Sequence, residues 1–367
     1  MSGGPRATRV LCEVGGTSIR FAWQDGPGTA CQGQRVRAVT DFPDFAAALQ
    51  WYLDHLGRAA PPQLGLAVAA PVDPDQDEIA MTNLAWRWSR AALRARFGLD
   101  RLIILNDFTA LALALPDLAP HELAALGTGR ARPGAAVAVL GPGTGLGVSG
   151  LVPTAAPGLP PTLDAAVALA GEGGHVTLAA GDAREFRVLD WLARRHGHAS
   201  AERALSGAGL LDLHAARLEL GECGGALPAT PAELVEGALG THDAALLGTL
   251  DLFSGLLGSC AGDLVLTLGA WGGVYLGGGI VPRLMPWFAQ SSFRARFEAK
   301  GRYRQRLAAV PAWVIMSAAA PALRGLARCL DARDARDTRD TRDTQDSARA
   351  GATADRAGPA SCAGCCD

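Results

Sequence analysis

The chain has 367 residues, 49% of them hydrophobic and 19% charged, with a formal net charge of −2. It is long for one core, so two domains are expected, and it lacks the cationic excess that would recommend nucleic acid as a partner. No charge-free apolar run reaches about 18 residues, and residues 1–8 lack the basic and apolar regions of a signal peptide, so a cytoplasmic protein without a membrane partner is expected.

Arg9 to Val14 and Ser18 to Trp23 read as the arms of a hairpin around Gly15-Gly16-Thr17. Phe42, Phe45, Leu49, Tyr52, Leu53 and Leu56 then recur at helical spacing, with Gly57 placed to stop the helix. Leu64 to Ala70 is an almost continuous apolar run ending at Pro71, as a central strand would be. Leu102 to Leu105 is another, and it delivers Asn106-Asp107 at its C-terminal end, where open α/β sheets place ligands. After a polar stretch from Gly127 to Gly134, Ala135 to Leu140 and Leu146 to Val152 form a second hairpin around Gly141-Pro142-Gly143-Thr144-Gly145. Glu185 to Arg195 reads as an amphipathic helix with Phe186, Leu189, Leu192 and Ala193 on its buried face. Val274 to Leu276 is a further strand, running into Gly277-Gly278-Gly279, and Pro282 suits the first turn of the next helix.

From Asp331 the sequence repeats Asp-Ala-Arg and Asp-Thr-Arg at a period of three, then becomes rich in Ala, Gly and Ser. That period matches neither helix nor strand, and with little to bury the segment 331–367 is expected to be a disordered tail. Cys12, Cys31, Cys223, Cys260 and Cys329 show no paired spacing and read as reduced, mostly buried small apolar residues. Cys362, Cys365 and Cys366 cluster in the tail, but a soft-metal site there lacks a His or acid at ligand spacing.

Two glycine turns, each between apolar strands, let bare backbone approach an anion closely, and their wide separation suggests phosphates gripped from two sides. Glu13 lies at the lip of the first turn as a ligand for a phosphate-bound Mg²⁺. Gly143, Thr144, Gly145 and Gly147 offer the same chemistry in the second. Asp107 has two readings: a general base for a substrate hydroxyl, or the N-cap of a helix beginning at Phe108. Glu172-Gly173-Gly174-His175 presents an acceptor and a donor across two glycines, an arrangement suited to vicinal sugar hydroxyls if it is more than a surface loop. Glu202, taken alone, reads as a solvated acid.

These segments together resemble the bacterial glucokinase family, as distinct from the repressor/kinase group of sugar kinases. The matches are Val14-Gly15-Gly16-Thr17, Ala80-Met81-Thr82-Asn83, Asn106-Asp107-Phe108-Thr109-Ala110, Gly143-Thr144-Gly145-Leu146-Gly147, Gly171-Glu172-Gly173-Gly174-His175-Val176, Ser200-Ala201-Glu202-Arg203, Leu205-Ser206-Gly207 and Gly277 to Arg283. They cover roughly residues 8 to 325 and are specific jointly rather than singly. The resemblance implies an α/β, two-domain actin-like/hexokinase-like (ribonuclease H-like) fold with a ligand cleft between domains. Expected boundaries are 8–117 for a small domain, rejoined by 308–330, and 118–307 for a large one. The implied activity is ATP-dependent phosphorylation of glucose to glucose 6-phosphate, with Asp107 as catalytic base and Asn106, Asp107, Glu172, His175 and Glu202 on the sugar. Cys12, Glu13, Val14, Gly15, Gly16, Thr17, Gly143, Thr144, Gly145, Gly277, Gly278 and Gly279 are the implied nucleotide contacts, with Glu13 toward Mg²⁺; the family also suggests a homodimer.

Two departures stand out. The family normally has aspartate at Glu13, and its glycine-rich C-terminal segment is replaced here by Ser317-Ala318-Ala319-Ala320-Pro321-Ala322-Leu323-Arg324-Gly325. They motivate the competing readings of a sugar-binding regulator or degenerate kinase with little turnover; a kinase for another hexose or amino sugar is a third.

Overall fold

The computed structural model of the protein describes residues 8–155, 161–317 and 320–354. In chain order the elements are β1 (Arg9–Val14), β2 (Ser18–Gln24), β3 (Gln32–Ala38), α1 (Phe45–Leu56), β4 (Gln63–Val68), β5 (Glu78–Ala80), β6 (Arg87–Ser89), α2 (Arg90–Phe97), β7 (Arg101–Asn106) and α3 (Asp107–Ala114). There follow β8 (Leu123–Ala125), β9 (Val137–Pro142), β10 (Leu146–Thr154), β11 (Thr162–Ala168), α4 (Ala183–His196), α5 (Ala201–Ala204), α6 (Gly207–Glu219), α7 (Pro231–Gly240) and α8 (Ala244–Leu268). The last elements are β12 (Gly273–Leu276), α9 (Val281–Leu284), α10 (Phe293–Glu298), α11 (Arg304–Ala308), β13 (Ala312–Ile315) and α12 (Pro321–Ala354).

Among the described residues the two larger sheets have the orders β3-β2-β1-β4-β7 and β11-β10-β9-β12-β13-β8. Apart from the added β8, the second repeats the first. Each begins as an antiparallel three-strand meander and continues with two strands parallel to its first. Parallel strands need crossovers, which places helices on the sheet faces and the ligand-facing turns along one end. Both glycine turns join the first and second strands of their sheet, so they hold equivalent positions.

Local chemistry explains the elements. Asp44 caps α1 by accepting from the Ala47 amide at 2.7 Å, and Gly57 ends it with φ of 60°. Phe42 therefore lies just outside the helix that its spacing suggested. Phe45, Leu49, Tyr52 and Leu53 bury against Val10, Cys12 and Val14 on one face of the first sheet.

The opposite face of each sheet is covered by a helix that follows the other sheet. Chain leaving β7 forms α3, whose Leu111 and Ala112, with Leu115 just past its end, pack on Val137, Val139 and Leu151 of the second sheet. Chain leaving β13 forms α12, whose Leu323, Leu326 and Leu330 pack on Leu11, Ala67 and Ile103 of the first. The two helices touch each other so closely that a Cβ on Gly325 would come 1.8 Å from the Ala110 carbonyl oxygen. A side chain there would force the helices apart.

Three sequence expectations are corrected here. On α4 the buried set is Glu185, Val188, Leu189 and Leu192, while Phe186 is 65% exposed. The true stripe is offset because Glu185 is buried as an ion pair with Arg296 at 2.8 Å, a partner 111 residues away. Residues 331–354, expected to be disordered, continue α12. A three-residue repeat does serve a helix over two turns, because positions i, i+3 and i+6 are neighbours along one side. Only Cys12 of the five described cysteines is fully buried; the others are half-buried and all five are free. Cys362, Cys365 and Cys366 lie outside the described residues. Among the described residues one helix, α8, is long and apolar enough to cross a membrane, but 56% of its most apolar 18-residue window is buried inside the protein.

Candidate active site

The first turn projects from β1 and β2, closed by the Gly15 amide donating to the Ser18 carbonyl at 2.9 Å. Alternation along β1 sends Cys12 and Val14 into the core, where both are fully buried, and Glu13 to the other face. Their side chains are therefore spent on the core, and a contact from either residue at the turn would come from its backbone. Glu13 stands directly across from Arg20 on β2, their charged ends 3.5 Å apart. Enclosure raises the Glu13 pKa, and Arg20 opposes the shift.

β7 ends at the helix start that decides between the two readings of Asp107. Asn106 is the N-cap, its Oδ1 accepting from the Phe108 and Thr109 amides at 2.9 and 3.2 Å, while its Nδ2 donates to the Ala70 carbonyl at 3.3 Å. Asp107 is the first residue of α3, with one oxygen 2.9 Å from the Phe108 amide. Capping thus falls to Asn106 and leaves the Asp107 carboxylate available at the cleft. Its pKa is pushed up to about 7, first by burial and then by the negative charge of Glu13, with a smaller push from Glu172. A carboxyl group that gives up its proton near neutral pH is matched to general-base work.

The second turn is built differently. The Gly143 amide donates to the Gly145 carbonyl at 2.8 Å, and the Gly143 carbonyl accepts from the Gly207 amide at the start of α6 at 2.9 Å. A Cβ on Gly145 would lie 2.3 Å from a Glu202 carboxylate oxygen, and that same oxygen accepts from the Leu146 amide at 2.9 Å. Glu202 is therefore half-buried and braces the turn, rather than being the solvated acid its local sequence suggests. A Cβ on Gly147 would overlap the Phe108 ring at 1.8 Å, so this glycine makes room for α3, not for a phosphate. The two turns face one another: a Cβ on Gly16 would be 3.5 Å from the Thr144 hydroxyl and 3.8 Å from Asn83.

Glu172 precedes a short 3₁₀ turn, Gly173–His175, that lies flat on β10, where a Cβ on Gly174 would be 2.2 Å from the Leu146 carbonyl oxygen. Both Glu172 and His175 are exposed at this rim. The Ala201 amide donates to the Val176 carbonyl at 2.9 Å, which ties the rim to the segment carrying Glu202. Gly277 to Gly279 packs against the second turn, with Gly278 at φ +76° and its Cβ position 2.3 Å from the Pro142 carbonyl oxygen. A cavity of about 380 Å³ opens among Glu13, Arg20, Asp107, Gly277 to Gly279, Ser317, Pro321 and Ala322. A second, more apolar one of about 590 Å³ lies beside Ile280, walled by Leu210 of α6 and Pro231, Ala232, Val235 and Leu239 of α7.

A matched two-sheet frame, facing glycine turns and a cleft-lining carboxylate at a helix start agree with the comparisons. The model of the family described as Glucokinase matches residues 10–333. The chain belongs to the glucokinase family. It is 46% identical to the glucokinase of Aromatoleum aromaticum over 88% of this chain and 94% of that one. It is similar to the solved glucokinase of an Antarctic psychrotroph, with 31% identity, a TM-score of 0.75, and coverage of 88% and 98%. A glucokinase of Balamuthia mandrillaris solved with glucose shares the fold at a TM-score of 0.71 and 20% identity, covering 88% of this chain and 92% of that one.

Among the described residues, no group of three or more His, Cys, Asp or Glu could hold a metal ion. That donor set does not cage Mg²⁺, but it fits one carried by phosphates, since Mg²⁺ commonly takes only one or two carboxylates beside them. Two features were missed in the sequence. Arg20 was legible, because pairing about the first hairpin sets it opposite Glu13; the α6–α7 cavity had no local signal.

Proposed function

We propose that this protein, a member of the glucokinase family, transfers the γ-phosphoryl group of ATP to the 6-hydroxyl of glucose, with Asp107 as the base. The observation that carries this reading is the Asp107 carboxylate, spared from capping, held near neutral pKa and placed at the cleft beside Glu13 and Arg20. As the hydroxyl oxygen bonds to the γ-phosphorus, its proton passes to Asp107 and the bond to the β–γ bridging oxygen breaks, releasing ADP. Phosphoryl transfer asks mainly for alignment and charge neutralisation, so an oriented hydroxyl in line with a gripped phosphate supplies most of the catalysis.

In this reading Glu172, His175, Glu202 and the second amide hydrogen of Asn106 hold the sugar hydroxyls. Gly15 to Thr17 and Gly143 to Gly145 hold the phosphates from opposite sides, Arg20 neutralises charge on them, and Glu13 takes the Mg²⁺ that accompanies ATP. Gly277 to Gly279 lies along the nucleoside, whose base occupies the apolar cavity beside α7. Residues 8–117 with 308–330, and residues 118–307, are the two lobes that close over the substrates and exclude water as a competing acceptor. We place the reaction in the cytoplasm. An ADP-release assay over a panel of hexoses with Mg²⁺ tests the reading: glucose is expected to lead, and absence of turnover on every hexose at high enzyme concentration overturns it.

A further inference from the structure

The first residues of β1, β4 and β7, namely Arg9, Gln63 and Arg101, stand in register as a row across the end of the first sheet opposite its glycine turn. Arg9 is fully buried, which a guanidinium tolerates only when its charge and its donors are matched. Gln63 accepts from its Nε at 2.8 Å, and its two terminal nitrogens meet Asp331 and Asp334 of α12. Gln63 also donates to Asp334 at 3.0 Å, and Arg101 meets Asp334 and Asp337. The three-residue repeat thus supplies one acidic edge of a helix, seated on one polar row.

The other end of the same helix lies at the cleft. Pro321 and Ala322 line the cavity that holds Glu13 and Asp107. From Pro321 to Asp334 the helix rises about 20 Å, which matches the length of a six-residue strand. Between those two ends the helix is seated closely on β4, where a Cβ on Gly65 would lie 3.3 Å from both Leu326 and Leu330. We propose that Asp331, Asp334 and Asp337 form a latch that positions α12 at the cleft, making Asp334 and Arg9 positioning residues for substrate binding. The latch touches no substrate, so its loss is felt in affinity more than in the chemical step.

This rests on the glucokinase reading, and the experiment separates the two: an inactive wild-type chain sinks that reading, whereas an active wild type with unaltered variants sinks the latch alone. In the full chain, Asp334→Asn is expected to raise the KM for glucose and for ATP about fivefold to tenfold, with kcat within about twofold. Asp334→Glu, which keeps the charge, should recover most of that loss. A variant with a lowered Tm but unchanged KM would show a purely structural contact and overturn the proposal. If Asp334→Asn does not fold, Asp337→Asn is the second variant, since Asp337 is largely exposed. It should raise KM about twofold to threefold, and an unchanged KM there overturns the latch equally.

Discussion

The two glycine turns hold the same place in two sheets of the same strand order, yet their glycines answer to different neighbours. At Gly15 and Gly16 an added Cβ would meet nothing closer than 3.5 Å, so protein packing alone does not require glycine there. At Gly141, Gly145 and Gly147 the same atom would collide with Gly277, Glu202 and Phe108 at 2.4, 2.3 and 1.8 Å. The first turn is therefore open, whereas in the second only Gly143, with nothing within 4 Å of its Cβ position, is not committed to packing. Glycine-rich sequence identifies both turns but does not separate backbone left bare for an anion from backbone left bare for a neighbouring side chain.

The comparison can be broken at several points. The largest effect is expected between the turns: Asp107→Asn should keep glucose binding while lowering kcat by about a thousandfold, within the range that a general base supplies. Calorimetry with a coupled assay measures both, and an unchanged kcat removes Asp107 from its role. Next comes Gly147→Ala, which drives a methyl group into the Phe108 ring. Overpacking of this kind costs roughly 1–3 kcal/mol, and a Tm equal to wild type would contradict the account of that glycine. Gly16→Ala should do the opposite, raising the KM for ATP by about tenfold through loss of close approach to phosphate while costing roughly 1 kcal/mol or less of stability. Equal thermal losses in the two alanine variants would erase the distinction between the turns.

Protonation sharpens the same contrast, because the raised acid lies by the open turn. With Asp107 pushed up to about 7, kcat/KM should fall about tenfold per unit below that pH and level off above it. The sign for stability is opposite. A carboxyl whose folded pKa lies above its unfolded value near 3.9 stabilises most below pH 4, and that contribution is lost as pH rises through about 7. Asp107→Asn should therefore gain Tm relative to wild type at pH 8 and show no gain at pH 4; a constant difference would mean the group is not raised. Smallest is Glu13→Asp, expected to raise Mg²⁺-dependent turnover by no more than about threefold, since it moves the carboxylate about 1.5 Å. A flat or lower rate would show that pairing with Arg20 has fitted the longer side chain to its task.

The sequence by itself determined the two hairpins, the strand that ends in Asn106-Asp107, and the types of side chain available for phosphate and sugar. Those are local matters, fixed by period-two alternation, turn glycines and the apolar runs that must be buried. It left Asp107 balanced between cap and base, because one amide position decides which residue caps a helix and either acid or amide serves. Only the tertiary structure decided that Asn106 is the cap, that Glu202 braces a turn 56 residues away in sequence, and that Glu185 is buried on α4. It also decided that an acidic repeat, taken alone a solvated tail, is a helix edge matched to Arg9 and Arg101 more than 230 residues earlier. The physical reason is that a polar group's burial is settled by the partner that satisfies it, and for Glu185, Glu202 and the acidic repeat that partner comes from a distant part of the chain.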